Sequence, residues 1–247
     1  MRSLVEKYRA IRSIDTDYTE LLVDTNIFGR GRHLVYDETS LRWLANRMSE
    51  AEVRLDLEAV AAAIAAGETV DASSMKLTCD LEDWAFFSRL NLNSNSPRRV
   101  LYVGGGAYPT IALYSLDRYP SLHVDCLDIV PHCTVLCQQL ADRLGLADRL
   151  QASTANVVDV EPGALARYDG VFVSSAVRPK NEVLEYLLTH KGPGTLVYAR
   201  EDEAHPLFYE PVTVAHPDLI AARQARAAWA EVNGRPFPLP RGCETGG

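Results

Sequence analysis

The segment Arg98–Pro109 carries the clearest chemical signal in the sequence. It is an apolar run that leads into Gly104, Gly105 and Gly106 and then into a proline suited to a first helical turn. Glycine permits a tight turn and a close approach of the backbone to a ligand, and a helix start offers free N–H donors. The third glycine of the dinucleotide fingerprint is missing. The pattern predicts a ligand-binding loop, with a simple tight turn as the alternative.

An acid at the end of the next apolar run strengthens the first interpretation. Asp128 closes the run L-H-V-D-C-L-D, where a carboxylate can bridge the two hydroxyls of a ribose. The alternative is a helix cap ahead of Pro131. No phosphate-binding lysine accompanies the loop, and S-adenosylmethionine (SAM) is a nucleoside ligand without phosphate. We therefore predict a SAM site over the glycines, Asp128 and the adjacent Ile129.

Polar residues also follow two later apolar runs. Asn156, or the backbone beside it at Val157, is placed to contact an adenine edge, and a plain turn is the alternative. Ser174 and Ser175 follow the run Y-D-G-V-F-V. Open α/β sheets bind ligands where their strands end, so we expect both serines to line the pocket. Capping of the next turn is the alternative.

The elements that must position these residues alternate after Pro97. Strands are predicted at 100–103, 122–127, 171–173 and 196–198, with a weaker one around Leu150, and helices at 110–118, 132–144 and 181–190. This alternation predicts an α/β fold with a doubly wound parallel sheet. A further helix is predicted over 219–232.

The first part of the chain is predicted to be helical. Leu41, Leu44 and Met48 share one helical face, a second apolar series begins at Val53, and a third helix is predicted over 81–90. We expect residues 1–97 to form an N-terminal helical cap over the ligand-binding edge of the sheet, and residues 98–247 to form the SAM-binding domain.

Composition restricts the partners. The chain has 247 residues, 47% of them hydrophobic, and a net charge of −8 without a basic stripe, which argues against nucleic acid. It has no apolar run of about 18 residues, as a membrane span needs, and charges near the start argue against a signal peptide. Five cysteines without paired spacing favour a reduced, cytoplasmic protein. Cys133, Cys137 and His132 lack a further converging ligand, so we expect no metal. We expect a small-molecule substrate, with the choice between monomer and homodimer left open.

The order of these motifs resembles the nicotianamine synthase family, including its bacterial opine-metallophore relatives. The family motif G-S-G-P-L-P is similar to Gly104–Pro109, Y-D-I-D to Leu127–Val130, and D-V-x-D-V to Asn156–Val160. Its Y-D-V-V-F-L-A-A-L-V is similar to Tyr168–Val177 and its A-P-G-x-L-x-x-R to Gly192–Arg200. The likeness covers roughly residues 84–217.

The resemblance implies a Rossmann-like α/β sandwich of the class I methyltransferase type, used for an unusual reaction. Such folds usually close with an antiparallel strand, which is not evident in this sequence. The family moves the 3-amino-3-carboxypropyl arm of SAM to an amine and releases methylthioadenosine. A family tyrosine in a segment like Y-Y-A-N-Y is associated with deprotonating that amine. The matching segment here begins at Trp84, and Phe86 and Phe87 replace both tyrosines. These aromatic residues are either core residues of a cap helix or an aromatic wall around the sulfonium.

The loss of both tyrosines favours a reaction of SAM with itself. Its amine would attack its own γ-carbon and yield azetidine-2-carboxylate plus methylthioadenosine, as in azetidine-2-carboxylate synthases, which resemble this family. Transfer of the arm to an external amine, methyl transfer to a small molecule, and a non-enzymatic SAM-binding module are the alternatives. The amine and carboxylate of the SAM arm could be bound by the following residues: Tyr108, Ser174, Ser175 and Asn156, with Tyr8, Tyr18 or Arg30 from the cap.

Overall fold

The computed structural model describes residues 76–92, 96–201 and 210–237. The elements in these ranges are α1 (Lys76–Ala85), β1 (Arg98–Val103), α2 (Thr110–Arg118), β2 (Leu122–Asp128), α3 (Pro131–Arg143), β3 (Leu150–Thr154), α4 (Pro162–Leu165), β4 (Gly170–Val173), α5 (Lys180–His190), β5 (Leu196–Ala199), β6 (Leu219–Ala221) and α6 (Ala222–Asn233). Short 3-10 helices span Phe87–Leu90 and Val157–Asp159. The cap helices predicted before residue 76, with Tyr8, Tyr18 and Arg30, lie outside the described residues.

The six strands form one parallel sheet in the order β3-β2-β1-β4-β5-β6. The predicted α/β, Rossmann-like architecture is therefore confirmed. Val103 pairs with Leu127 on one side and Val173 on the other, so β1, β2 and β4 end together. We call this side of the sheet the carboxyl edge. The chain reverses its direction of winding between β1 and β4, which is where such sheets bind ligands.

Helices cover both faces of the sheet. Successive strand residues point to opposite sides, and apolar residues on each side pack against helices. Tyr102, Cys126, Phe172 and Tyr198 face α1, α2, α3 and α6 in one apolar core. The other face packs against α4 and α5 through the following residues: Leu101, Val103, Leu127, Val171, Val173, Val197 and Ala199. Both faces are thus buried, as expected for a parallel sheet.

Helix α1 crosses the first face in the direction opposite to the strands. Glu82 lies near Arg200, which directly follows β5, with 3.5 Å between Glu82 Oε1 and Arg200 Nε. One turn later, Phe86 lies over Gly170, the first residue of β4, where an added Cβ would be 2.6 Å from Phe86 Cζ. The helix therefore begins at the carboxyl edge and ends toward the opposite edge.

The C-terminal part differs from the prediction. Leu219–Ala221, predicted as the start of a helix, is strand β6, which pairs parallel with β5 through Val197 and Leu219. Leu219 and Ala221 are buried and Ile220 is half-buried, and a three-residue apolar run of this kind fits a helix start equally well. No antiparallel closing strand occurs in the ranges that the structure describes. Within the same ranges, no helix is long and apolar enough to cross a bilayer.

Candidate functional site

The glycine loop packs tightly against the chain that follows β4. Gly104 has a φ of +74° and Gly106 a φ of +66°, a region that favours glycine. A Cβ on Gly104 would lie 2.6 Å from Val177 Cγ2 and 3.2 Å from Ser174 Cβ. The Gly104 N–H donates to the Leu127 carbonyl at 2.8 Å, which joins the loop to the end of β2. The positive φ and these close contacts strongly favour glycine at position 104, so this residue type helps to determine the conformation of the loop.

Asp128 links the loop to the start of α3. Its Oδ2 accepts a hydrogen bond from the Gly106 N–H at 2.9 Å, and its Oδ1 accepts one from the Val130 N–H at 2.9 Å. An ionised carboxylate has about four acceptor positions, so two remain. The side chain is half-buried at the carboxyl edge. Asp128 therefore makes a turn contact with Val130 rather than the helix cap that the alternative expected, because Val130 is the cap residue of α3 and no side chain caps this helix. The carboxylate keeps capacity for a ligand.

The adenine side of the predicted site lies around the end of β3. The Ala155 N–H donates to the Asp128 carbonyl at 3.1 Å, which places Asn156 beside β2. Asn156 is exposed, and its Oδ1 accepts from the Val158 N–H at 3.4 Å as the cap of a 3-10 helix. Val157 is buried, whereas Ile129 is 66% exposed. Ile129 thus offers an apolar side chain next to Asp128.

The two serines after β4 are held by backbone contacts. The Ser174 N–H donates to the Val103 carbonyl at 3.0 Å, which brings Ser174 against the glycine loop. The Ser175 carbonyl accepts from Lys180 Nζ at 2.9 Å, and the same ammonium donates to the Arg200 carbonyl at 2.9 Å. Lys180 is fully buried and therefore ties the ends of β4 and β5 together. The sequence gives no sign of this role, because a lysine at a helix start usually faces solvent.

The predicted aromatic residues lie in the core. Phe86 is 0% and Phe87 2% exposed, and their ring centroids lie 6.0 and 6.4 Å from that of Phe172 on β4. Trp84 and Tyr108 are partly buried and pack against the same core. Of the two interpretations of Phe86 and Phe87, this placement matches the one in which they are core residues. A contact with a sulfonium remains a prediction.

Glu82 is a buried acid near the carboxyl edge that the sequence analysis did not single out. It is 4% exposed, and its Oε2 has no hydrogen-bond partner among the described residues, nor does the hydroxyl of the fully buried Tyr198. Burial raises the pKa of the Glu82 carboxyl, while the charge of Arg200 opposes the rise. Burial also raises the pKa of Tyr198 well above its ordinary value. The available signal was the spacing, since Glu82 lies four residues before Phe86 and therefore on the same helix face.

Three buried cysteines lie beneath the glycine loop. Cys126, Cys133 and Cys137 are buried, and a Cβ on Gly105 would lie 3.2 Å from Cys126 Sγ. A hydrogen bond with Cys137, together with burial, raises the pKa of the Cys126 thiol well above its ordinary value. Across the described residues, no group of three or more His, Cys, Asp or Glu side chains is placed to hold a metal.

Comparison with known proteins identifies the family. The sequence model of the nicotianamine synthase protein family matches residues 79–219, more than half of the chain. The chain belongs to the nicotianamine synthase family. The matched range contains Glu82, the glycine loop, Asp128 and Ser174, so the candidate site of this nicotianamine synthase family member lies within it.

Solved structures agree with the fold of this family member. A mutant of MtNAS crystallised with SAM shares 17% identity over 86% of this chain and 88% of that chain, with a TM-score of 0.54. A second crystal structure of the MtNAS mutant shares 16% identity over 84% of each chain, with a TM-score of 0.51. A SAM-dependent methyltransferase from Thiobacillus denitrificans in complex with S-adenosylhomocysteine shares 17% identity over 47% of this chain, with a TM-score of 0.36, and the alignment spans 46% of that protein's length. The search of curated proteins finds no match.

Proposed function

We propose that this chain binds SAM at the carboxyl edge, with the ribose hydroxyls on Asp128. One observation carries the proposal: the Asp128 carboxylate is held by the Gly106 N–H at 2.9 Å beside a glycine loop and keeps free acceptor positions. Membership of the nicotianamine synthase family and the fold shared with a SAM-bound MtNAS mutant support the choice of ligand.

The adenine of SAM is assigned to the end of β3. The 66% exposed Ile129 provides an apolar surface beside Asp128, and burial of such a side chain against a flat ring is favourable. The backbone at Asn156 and Val157 lies next to the same strand end. Polar main-chain groups there suit the hydrogen-bonding edge of an adenine.

The amino acid arm is assigned to the opposite side of the loop. Gly104 contacts the chain at Ser174, so an arm that leaves the ribose along the loop reaches the end of β4. Ser174 and Ser175 are both half-buried there. We assign them and Tyr108 as the groups that bind the carboxylate and the ammonium of the arm.

We further propose that the reaction is cyclisation of the arm. The neutral amine attacks the γ-carbon, the bond from that carbon to sulfur breaks, and its electron pair stays on sulfur in methylthioadenosine. The ring product is azetidine-2-carboxylate. Such a step needs mainly a folded arm and the exclusion of water. The sequence resemblance supports it, because Phe86 and Phe87 stand where the family motif has tyrosines. Both rings are buried in the core, so neither position offers a group that could activate an external amine.

Transfer of the arm to an external amine is the second candidate. Family membership favours it, because the resemblance to nicotianamine synthases implies transfer of this arm to an amine. In that case the nucleophile is a second molecule and the leaving group is still methylthioadenosine. The two candidates therefore differ only in whether a second substrate is required.

Product analysis after incubation with SAM tests the proposal. We expect methylthioadenosine and azetidine-2-carboxylate from SAM alone, detected by mass spectrometry. Methylthioadenosine that forms only with an added amine replaces cyclisation by arm transfer, and S-adenosylhomocysteine as product points to methyl transfer. Binding without turnover would identify a binding module. Boiled enzyme is the control for spontaneous breakdown of SAM.

A further inference from the structure

Glu82 is a buried acid that the fold leaves incompletely satisfied. It lies on α1 and is 4% exposed. Among the described residues, it forms an ion pair with Arg200, with 3.5 Å between Glu82 Oε1 and Arg200 Nε. Its Oε2 has no hydrogen-bond partner among the described residues. Buried acceptors are nearly always paired in native proteins, and an orphaned one calls for an explanation. A ligand that donates a hydrogen bond is one explanation.

A second buried acid at the same edge shows what a structural carboxylate looks like here. Glu201 is 8% exposed, and both of its oxygens are satisfied by the backbone. Its Oε1 accepts from the Val212 N–H at 3.0 Å and its Oε2 from the Arg223 N–H at 3.2 Å. Glu82 receives no comparable backbone bonds from neighbouring elements. The difference separates an acid whose two oxygens both hold the backbone from one whose second oxygen is buried without a hydrogen bond.

The position of Glu82 is close to the proposed arm. The Arg200 N–H donates to the Val173 carbonyl at 2.9 Å, so Arg200 lies beside the end of β4 and near Ser174. Neighbouring strands are about 4.8 Å apart, which puts the end of β5 about 10 Å from that of β1. Because α1 begins at the carboxyl edge, Glu82 lies nearer to that edge than Phe86 does. Through Arg200, it therefore contacts the end of the sheet where the amine of the arm is proposed to lie.

Among the described residues, four charged or titratable groups influence Glu82. Arg200 follows β5, Arg226 comes from α6, Tyr198 from β5 and Asp80 from α1 itself. Burial is the strongest influence on the carboxyl and raises its pKa, while the two guanidinium groups lower it by less. Such a carboxylate is a stronger base than an exposed glutamate, and the nearby cations keep its ionised form accessible.

We propose that Glu82 accepts the proton of the SAM amine before ring closure. The ammonium gives one proton to Oε2, and the neutral amine then forms a bond to the γ-carbon as the carbon–sulfur bond breaks. The products are methylthioadenosine, the ring as a secondary ammonium, and a protonated Glu82 that returns its proton to solvent. Glu82 thus supplies a proton acceptor, which neither Phe86 nor Phe87 can provide. This inference rests on the proposed cyclisation.

Glu82→Gln tests the role with little change in shape. We expect methylthioadenosine release from saturating SAM to fall by about 100-fold, the effect of losing a general base. The affinity for SAM, measured by calorimetry, should stay within about threefold. The rate of the wild type should rise with pH as Glu82 ionises, and that part of the pH profile should be missing in the variant. Glu201→Gln is the matched control, and its profile should keep the wild-type shape.

Two further experimental outcomes keep the test decisive. If Glu82→Gln does not fold, Glu82→Asp retains the charge but shortens the reach, and its rate should fall at least tenfold with SAM still bound. A rate within twofold of the wild type in either folded variant, with an unchanged pH profile, overturns the role of Glu82 alone. A wild type that binds SAM but releases no methylthioadenosine overturns the proposed function and this inference with it.

Discussion

The backbone N–H of Gly106 donates to Asp128 Oδ2 across 2.9 Å, so a single carboxylate joins the glycine loop after β1 to the end of β2. The other oxygen of Asp128 accepts from the Val130 N–H. This arrangement fixes the direction in which the remaining acceptor positions point. A ribose bound there would contact a carboxylate that is already oriented, which lowers the entropic cost of binding.

Asp128→Ala is expected to weaken SAM binding by about 1.5–3 kcal/mol, or roughly 10- to 150-fold, because hydrogen bonds to a charged group are lost. Isothermal titration calorimetry measures the change. Asp159→Ala is the control, since Asp159 is an exposed acid in the 3-10 helix near the same edge. Its substitution should leave the affinity within about twofold. Equal affinities of the wild type and Asp128→Ala would contradict the ribose assignment.

Gly104→Ala is expected to displace the loop. The new Cβ would lie 2.6 Å from Val177 Cγ2, and the φ of +74° is itself unfavourable for alanine. We expect a loss of stability of more than about 1 kcal/mol together with loss of SAM binding. Urea unfolding and calorimetry measure the two effects. Gly163→Ala is the matched control, because nothing lies within 4 Å of its added Cβ. If Gly104→Ala behaves like this control, the loop is not the rigid element described.

Phe87→Tyr is expected to destabilise the fold without aiding the reaction. Phe87 is 2% exposed, and a hydroxyl added in that core costs about 1–3 kcal/mol if it finds no partner. The proposed cyclisation has no external nucleophile to activate, so it predicts that methylthioadenosine release does not increase. Phe237→Tyr, at a half-buried ring against Trp229, should change stability by less than about 0.5 kcal/mol. A faster amine-dependent reaction in Phe87→Tyr would favour arm transfer.

The raised pKa of Glu82 predicts a pH-dependent stability. Between the ordinary pKa of glutamate and the raised pKa in the folded state, the unfolded chain loses this proton first. The contribution of Glu82 to stability is therefore present at low pH and lost as the pH rises through the folded pKa. Relative to the wild type, Glu82→Gln should become progressively more stable as the pH rises from about 4, near the ordinary pKa of glutamate, through the raised pKa of Glu82 in the folded state. Urea unfolding at several pH values measures this difference. The opposite trend would mean that the ion pair with Arg200 dominates.

Much of the fold follows from local patterns. The helix predicted over 110–118 and the run ending at Asp128 match α2 and β2, because apolar periodicity and turn residues agree at both places. β6 was not predicted, since three apolar residues do not distinguish a strand from a helix start. The segment forms a strand because its backbone pairs with that of β5, which lies elsewhere in the sequence.

The site was predictable only in part. The glycines and Asp128 could be placed together because the ends of neighbouring parallel strands meet at one edge. Glu82 and Lys180 could not, because each is a charged residue in a helix and their burial results from packing between distant segments. The burial of Phe86 and Phe87 likewise depends on Gly170, which lies far along the chain and leaves room for the Phe86 ring.

The dependence of methylthioadenosine release on a second amine tests the central claim most directly. The initial rate is measured with saturating SAM alone and then with rising concentrations of added amino acids and amines, and both products are quantified. Cyclisation predicts equal amounts of methylthioadenosine and azetidine-2-carboxylate from SAM alone, at a rate that added amines do not increase. Release of methylthioadenosine only in the presence of an amine, with the arm recovered on that amine, would contradict it.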